Sequence, residues 1–211
     1  MLKIVTIPNP VLAQLTKKVE QFDASLQKLV KDMDQTLRAQ VNPQGVGLAA
    51  PQVGVNLSVF ISKPTPSSKT EVFVNPRIIQ VQTVDDGRWK MDHEDGRLKI
   101  EKNSSFHHQS SKSTLNPPSS IVKKPKSKTK LEGCLSIPKI WGSVKRAQKV
   151  LIEFQDQTGK VHKKWFSGFR AIIIQHEVDH LAGVLFTQRA LEQKTTLFEE
   201  KEGKLEKLLT K

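Results

Sequence analysis

Apolar positions along the chain change their spacing several times, and each change marks an element. Leu26, Leu29, Val30, Met33 and Leu37 recur three or four residues apart behind Asp23 and Ser25. Residues 23–40 are therefore predicted as an amphipathic helix capped by one of those two side chains. A glycine-punctuated stretch, residues 44–56, follows. Residues 57–62, 70–74 and 78–84 are rich in Val, Ile and Phe between Pro and Ser turns, which predicts a small antiparallel sheet. Residues 144–155 and 161–166 read as two more strands, joined by a hairpin turn at residues 156–159. A helix is predicted over residues 168–181, entered through Ile172, Ile173 and Ile174. Residues 191–211 place Leu191, Phe198, Leu205 and Leu209 on one stripe and are predicted as a C-terminal amphipathic helix.

The pattern stops between residues 85 and 130, where His107, His108, Asn116-Pro117-Pro118, repeated Ser and a lysine run from Lys123 to Lys128 replace any periodicity. Such a composition buries too little apolar surface to offset its ordering entropy, so a long, flexible, Lys/Ser-rich insertion is expected there. A hairpin over residues 89–100, turning at Asp95-Gly96, is the one element expected near its start. No internal repeat is visible. The fold class implied is α+β, one domain over residues 1–211, with small antiparallel or mixed sheets packed around a central helix.

Composition changes this picture little, but charge does. The chain has 211 residues, 36% of them hydrophobic, which is ordinary for one globular domain with a real core. Its formal net charge is +13, and residues 101–130 hold seven lysines against one acid. Association with RNA or the ribosome through basic segments therefore enters as a function class. The lysine cluster lacks interleaved aromatics, which argues against specific readout, and no DNA partner is expected. No run approaches the ~18 apolar residues of a membrane span, and the first ten residues lack a secretory signal pattern, so a cytoplasmic monomer is expected. Cys134 is the single cysteine. It forms no internal disulfide and is a buried small hydrophobe, a reactive thiol or a metal ligand.

The sharpest chemical signal lies in the last predicted helix. His176-Glu177-Val178-Asp179-His180 is an H-E-x-x-H. Four residues apart on a helix, His176 and His180 share a face and can meet one metal, with Glu177 set to reach a water on it. The chemistry implied is amide hydrolysis, with that water as nucleophile and Glu177 as general acid/base. Ile173, Ile174, Leu181, Val184, Leu185 and Phe186 surround the motif, which predicts a buried segment, and buried charges are paired or ligating. A third ligand is required. The metzincin histidine is missing, because Phe186 stands in its place. A downstream glutamate, Glu199 or Glu200, is one alternative for a general metalloprotease. The other is Cys134, in Glu132-Gly133-Cys134-Leu135-Ser136, where the pattern resumes after the insertion. Gly45-Val46-Gly47-Leu48-Ala49-Ala50-Pro51-Gln52 lacks the third glycine and the lysine of a phosphate loop. Small residues followed by an amide suit close approach of backbone to a substrate, with Gln52 donating into the site, or else a tight turn before a strand.

Taken in order, Gly45 to Gln52, Glu132 to Ser136 and Gln175 to His180 closely resemble the three signature motifs of the peptide deformylase family. The opening Val5 to Leu12, Asn75-Pro76, Lys145-Arg146 and the run through Gly183 to Phe186 share the resemblance. It implies a hydrolase that removes the formyl group from the N-terminal formylmethionine of new bacterial or organellar proteins and releases formate. By the resemblance, Cys134, His176 and His180 are the metal ligands and Glu177 is the general acid/base. Gln52 and the N–H of Leu135 hold the developing oxyanion. Val46, Gly47, Glu132 and Gly133 flank a substrate that pairs as an added strand, and Trp141, Phe169, Ile172 and Ile173 are candidates for the methionine pocket. Ligand chemistry alone favours zinc. The resemblance points instead to Fe2+, one per chain, with Zn2+, Ni2+ or Co2+ as substitutes in a purified sample. The alternative from another class is a basic RNA- or ribosome-associated protein on a degenerate scaffold of this kind.

Overall fold

The computed structural model describes residues 1–82, 88–89 and 131–208. Most of the insertion expected over residues 85–130, and most of the hairpin expected over residues 89–100, lies outside the described residues. Helix α1 spans Ala24–Arg38. The Asp23 carboxylate caps it, accepting from the N–H groups of Ser25 at 2.9 Å and Leu26 at 3.1 Å. Strands β1 (Gly47–Ala49), β2 (Val59–Ser62), β3 (Glu71–Gln82) and β4 (Arg88–Trp89) follow. Beyond the undescribed segment come β5 (Leu131–Cys134), β6 (Ile137–Ser143), β7 (Lys149–Gln155) and β8 (Val161–Ser167). Helices α2 (Phe169–Leu181) and α3 (Phe186–Glu192) and strands β9 (Leu197–Lys201) and β10 (Lys204–Lys207) complete the chain.

Two antiparallel sheets result. The first runs β1-β2-β3-β7-β8, with β4 on the far end of β3, and the second runs β10-β9-β6-β5. The α+β class is as expected, and α2, packed on β1, β2 and β8, carries the H-E-x-x-H. The core beneath α2 is aromatic. Phe73 stacks on Phe60 at 4.4 Å between ring centroids, meets Phe154 at 4.5 Å and takes the edge of Phe166 at 5.8 Å. Ala171, Ile174 and Leu181 of α2 close this cluster from above.

Two expectations are corrected. The strands predicted over residues 70–74 and 78–84 are a single twelve-residue strand, β3, whose pairing with β7 shifts register between Val74 and Arg77. Pro76 cannot donate to the ladder, and a bulge absorbs that loss without ending the strand. Asn75, at φ 48°, turns its side chain outward to accept from Val19 N–H at 2.8 Å and to donate to Val19 O at 2.9 Å and Gln155 Oε1 at 2.8 Å. The second correction concerns residues 191–211. Their helical part ends at Glu192, and Leu197–Lys201 and Lys204–Lys207 form an antiparallel hairpin. Its two turn residues, Glu202 and Gly203, both have positive φ, the geometry that joins paired strands through a two-residue loop. β9 also pairs with β6, so the backbone groups of this tail are satisfied by the second sheet.

Phe73 is the ring through which three strands meet, so Phe73→Ala should cost ~3–5 kcal/mol. Urea unfolding of the metal-loaded protein should show a clearly lower midpoint with an unchanged slope.

Candidate active site

Helix α2 is buried on nearly every side, and Gln175 and Asp179 on it are fully partnered. Gln175 accepts from Ala147 N–H at 3.0 Å and donates to Ala147 O at 2.9 Å, tying the helix to the segment before β7. Asp179 accepts from Arg146 Nη1 at 2.5 Å and Arg189 Nη2 at 2.7 Å. At the C-terminal end, the N–H and hydroxyl of Thr16 both donate to Leu181 O at 2.9 Å. Gly183 then turns the chain at φ +71°, and a Cβ there would stand 2.7 Å from the Ala13 carbonyl. Only glycine fits that approach.

Strand β5 delivers Cys134 to the same place. Its Sγ lies 3.2 Å from His180 Nε2, and one ligand atom each of Cys134, His176 and His180 fall within 4.8 Å of one another. His176 Nδ1 sits 3.1 Å from Glu132 Oε2. An N–H donated there leaves Nε2 free to ligate, the carboxylate–histidine arrangement common behind metal ligands. One thiolate and two imidazoles suit a divalent transition metal. Electrostatics agree. Burial pushes the Cys134 thiol up, yet the His180 and His176 imidazoles outweigh it and hold the thiol well below its ordinary value. Burial lowers His176, but hydrogen bonds with Cys134 and Glu132 raise it to about 10. The pocket therefore stabilises a thiolate and demands positive charge beside it, which a bound cation supplies.

Glu177 lies next to this trio, buried, with Oε2 lacking a hydrogen-bond partner. Burial pushes its carboxyl up to about 7 against the pull of His176 and His180. The opposite wall is β1, where a Cβ on Gly47 would stand 2.3 Å from Glu177 Oε1, so the carboxylate fits only because position 47 is bare. Gln52 is fixed in the orientation expected of a donor. Its Oε1 accepts from Ala49 N–H at 2.8 Å, which turns Nε2 toward Cys134 Sγ and Ser136 Oγ, both at 3.4 Å.

A cavity of about 250 Å3 opens over these groups. Every residue assigned to the site from sequence lines it except His180, which stands behind Cys134: Gln52, Glu177, Cys134, Leu135 and His176, then Val46, Gly47, Glu132 and Gly133, and the apolar Trp141, Phe169, Ile172 and Ile173. Glu199 and Glu200, the alternative ligands, lie on β9 outside the donor cluster, and Glu200 instead accepts from Trp141 Nε1 at 2.9 Å. Phe186, where a metzincin has its histidine, stacks on the His176 ring at 6.0 Å.

Sequence reasoning placed Glu132 against the substrate, and its carboxylate is already committed. Arg146 grips it through Nε at 2.9 Å and Nη2 at 3.0 Å while His176 takes Oε2, and these bonds outweigh burial to hold it at about 2. The partnership of Arg146, Asp179 and Arg189 was not read from the sequence. Its only signal there was a charged Asp179 within an otherwise apolar flank. Replacing Asp179 by Asn should leave two guanidiniums short of counter-charge and cost ~3–5 kcal/mol. The urea midpoint should fall accordingly, while Glu202→Gln, on the exposed β9–β10 turn, should shift it far less.

Comparisons with known proteins agree with this geometry. The family model described as polypeptide deformylase matches residues 1–196. Peptide deformylase 1 of Bacillus cereus is 36% identical over 202 residues, covering 96% of this chain and 97% of that protein. A crystal structure of a peptide deformylase from Legionella pneumophila superposes with a TM-score of 0.64 at 30% identity, over 90% of this chain and 85% of that one. One from Synechococcus elongatus, in complex with actinonin, gives 0.63 at 27% identity, over 92% and 87%. With its three motifs gathered around one cavity and its sequence matched over nearly its whole length, this chain belongs to the peptide deformylase family.

Proposed function

We infer that this chain hydrolyses the formamide at the N-terminus of formylmethionyl peptides, releasing formate, with Cys134, His176 and His180 as metal ligands and Glu177 as the proton carrier. One observation carries the reading: a Cys/His/His trio and a buried carboxylate with an unpartnered oxygen lie together at the base of a cleft lined by residues of β1 and β5. A divalent ion held by that trio would supply Lewis acidity and would make a neighbouring water a stronger acid. Glu177, poised near 7, accepts the proton of the attacking water at Oε2 and returns it to the nitrogen of the leaving amine as the C–N bond breaks. Negative charge grows on the formyl oxygen only as water adds. Gln52 Nε2 and Leu135 N–H are the donors assigned to it, and fixed dipoles help most at that moment.

Strands β1 and β5 each end their sheet, so each has an edge free of strand neighbours among the described residues. A substrate added as a strand between them is flanked by Val46, Gly47, Glu132 and Gly133. Trp141, Phe169, Ile172 and Ile173 then face the methionine side chain. For the ion itself we assign Fe2+, following the family resemblance, with Zn2+, Ni2+ or Co2+ able to occupy the same donors. We expect the chain to act in the cytoplasm on nascent chains, and its +13 charge suits the neighbourhood of ribosomal RNA. The degenerate-scaffold alternative draws no support from the Cys/His/His trio, the buried Glu177 carboxylate and the Gln52 amide, which lie together.

Glu177→Gln should retain one metal per chain by elemental analysis while formate release from a formyl-Met peptide drops about 10²–10⁴-fold. Release at the parent rate would remove Glu177 from the mechanism. Gly47→Ala should keep both fold and metal, since the clash is with one carboxylate, yet slow release at least tenfold by displacing it.

A further inference from the structure

A second cavity adjoins the first. Gln44 and Gly45 line both, and its other walls include Arg38, Gln40, Lys63 and Pro66. No acidic residue lines it, whereas two cations and two amides do. Lys63 is the unusual member. It is buried, 7% exposed, and its ammonium donates to the carbonyl of Pro66 at 2.6 Å and to that of Ser68. Among the described residues no carboxylate lies within ion-pair distance of it. Asp34, the acid whose pKa it lowers, is already held by Arg38 Nε at 2.8 Å and by the Thr70 hydroxyl. A lysine carries three donors, so one remains for an acceptor in the cavity. A buried cation with only neutral acceptors is also short of counter-charge.

Position relates this cavity to the substrate path. Lys63 N–H donates to Val46 O at 2.8 Å, placing Lys63 directly behind the β1 edge. A peptide whose formyl end reaches Gln52 and Glu177 cannot continue past Leu48 and Ala49, which are fully buried. It leaves along Val46, Gly45 and Gln44, advancing ~3.3 Å per residue toward the second cavity.

We propose that this cavity is a carboxylate-binding subsite, in which Lys63 and Arg38 receive an acidic side chain of the substrate a few residues beyond the formylmethionine. The proposal rests on the deformylase reading above and adds a charge preference to it.

The test uses the metal-loaded full chain and C-terminally amidated formyl-Met-Ala hexapeptides with one Glu moved through positions three to six, each beside its Gln twin. The Glu:Gln ratio of kcat/KM for formate release should reach about tenfold at one position and stay near one elsewhere. It should collapse toward one in 0.5 M salt. Lys63→Met should abolish the ratio while leaving Gln-peptide turnover unchanged. Should that variant misfold, Arg38→Gln, at an exposed side chain, should reduce the ratio at least threefold instead. Inorganic phosphate, titrated into the same assay, should erase only the Glu advantage. Normal release with a ratio near one at every position overturns the proposal. Phosphate binding by calorimetry that is lost in Lys63→Met, without any Glu preference, overturns it in favour of a free-anion site. Absence of release from every peptide overturns the deformylase reading, and this subsite with it.

Discussion

One guanidinium joins the two segments that carry Cys134, His176 and His180. Arg146 holds Glu132 of β5 through two nitrogens and Asp179 of α2 through the third, so the sulfur-bearing strand and the imidazole-bearing helix are clamped to a common planar group. Glu132 passes that restraint on to His176, and Arg189 balances the second carboxylate. Two cations and two anions close the set. Each ion costs several kcal/mol to bury, and only a fully bonded arrangement offsets that cost. The bidentate fork explains why arginine occupies this position, since an ammonium cannot bridge two carboxylates in one plane.

With those four charges cancelled, the remaining charge at the floor of the cleft belongs to the chemistry alone. Cys134 is held as a thiolate by its neighbours, and Glu177 carries a carboxylate close to its switching point at neutral pH. A doubly charged ion would neutralise that pair while the imidazoles ligate as neutral bases. The glycine at position 47 then does steric work, clearing space for the carboxylate, while the self-oriented amide of Gln52 points a donor.

Much of this was legible in the sequence because it is local. Histidines four apart on an apolar helix, a small-residue run ending in Gln52, and Asp23 ahead of a 3.6-residue periodicity all encode their structure within one or two turns. What was hidden is what tertiary pairing decides. Leu191, Phe198, Leu205 and Leu209 fit a helical stripe, but the free edge of β6 recruits Leu197–Lys201 as a strand, and Gly203 in the middle of the supposed helix was the local sign against it. Asn75-Pro76 looked like a break because proline forfeits a ladder bond. The side chain of Asn75 replaces that bond with contacts to Val19 and Gln155, which lie far away along the chain. The Arg146 clamp was invisible for the same reason, its two partners, Glu132 and Asp179, lying on β5 and α2.

The match to the family model ends at residue 196, one position before β9 begins. Yet β9 flanks β6 along Ile140, Trp141 and Gly142, and Glu200 anchors the indole that walls the cavity. The apolar wall of the cavity is therefore braced by a hairpin that lies outside the residues matched by the family model, so the width of the slot and the donor groups at its base are set by separate parts of the chain.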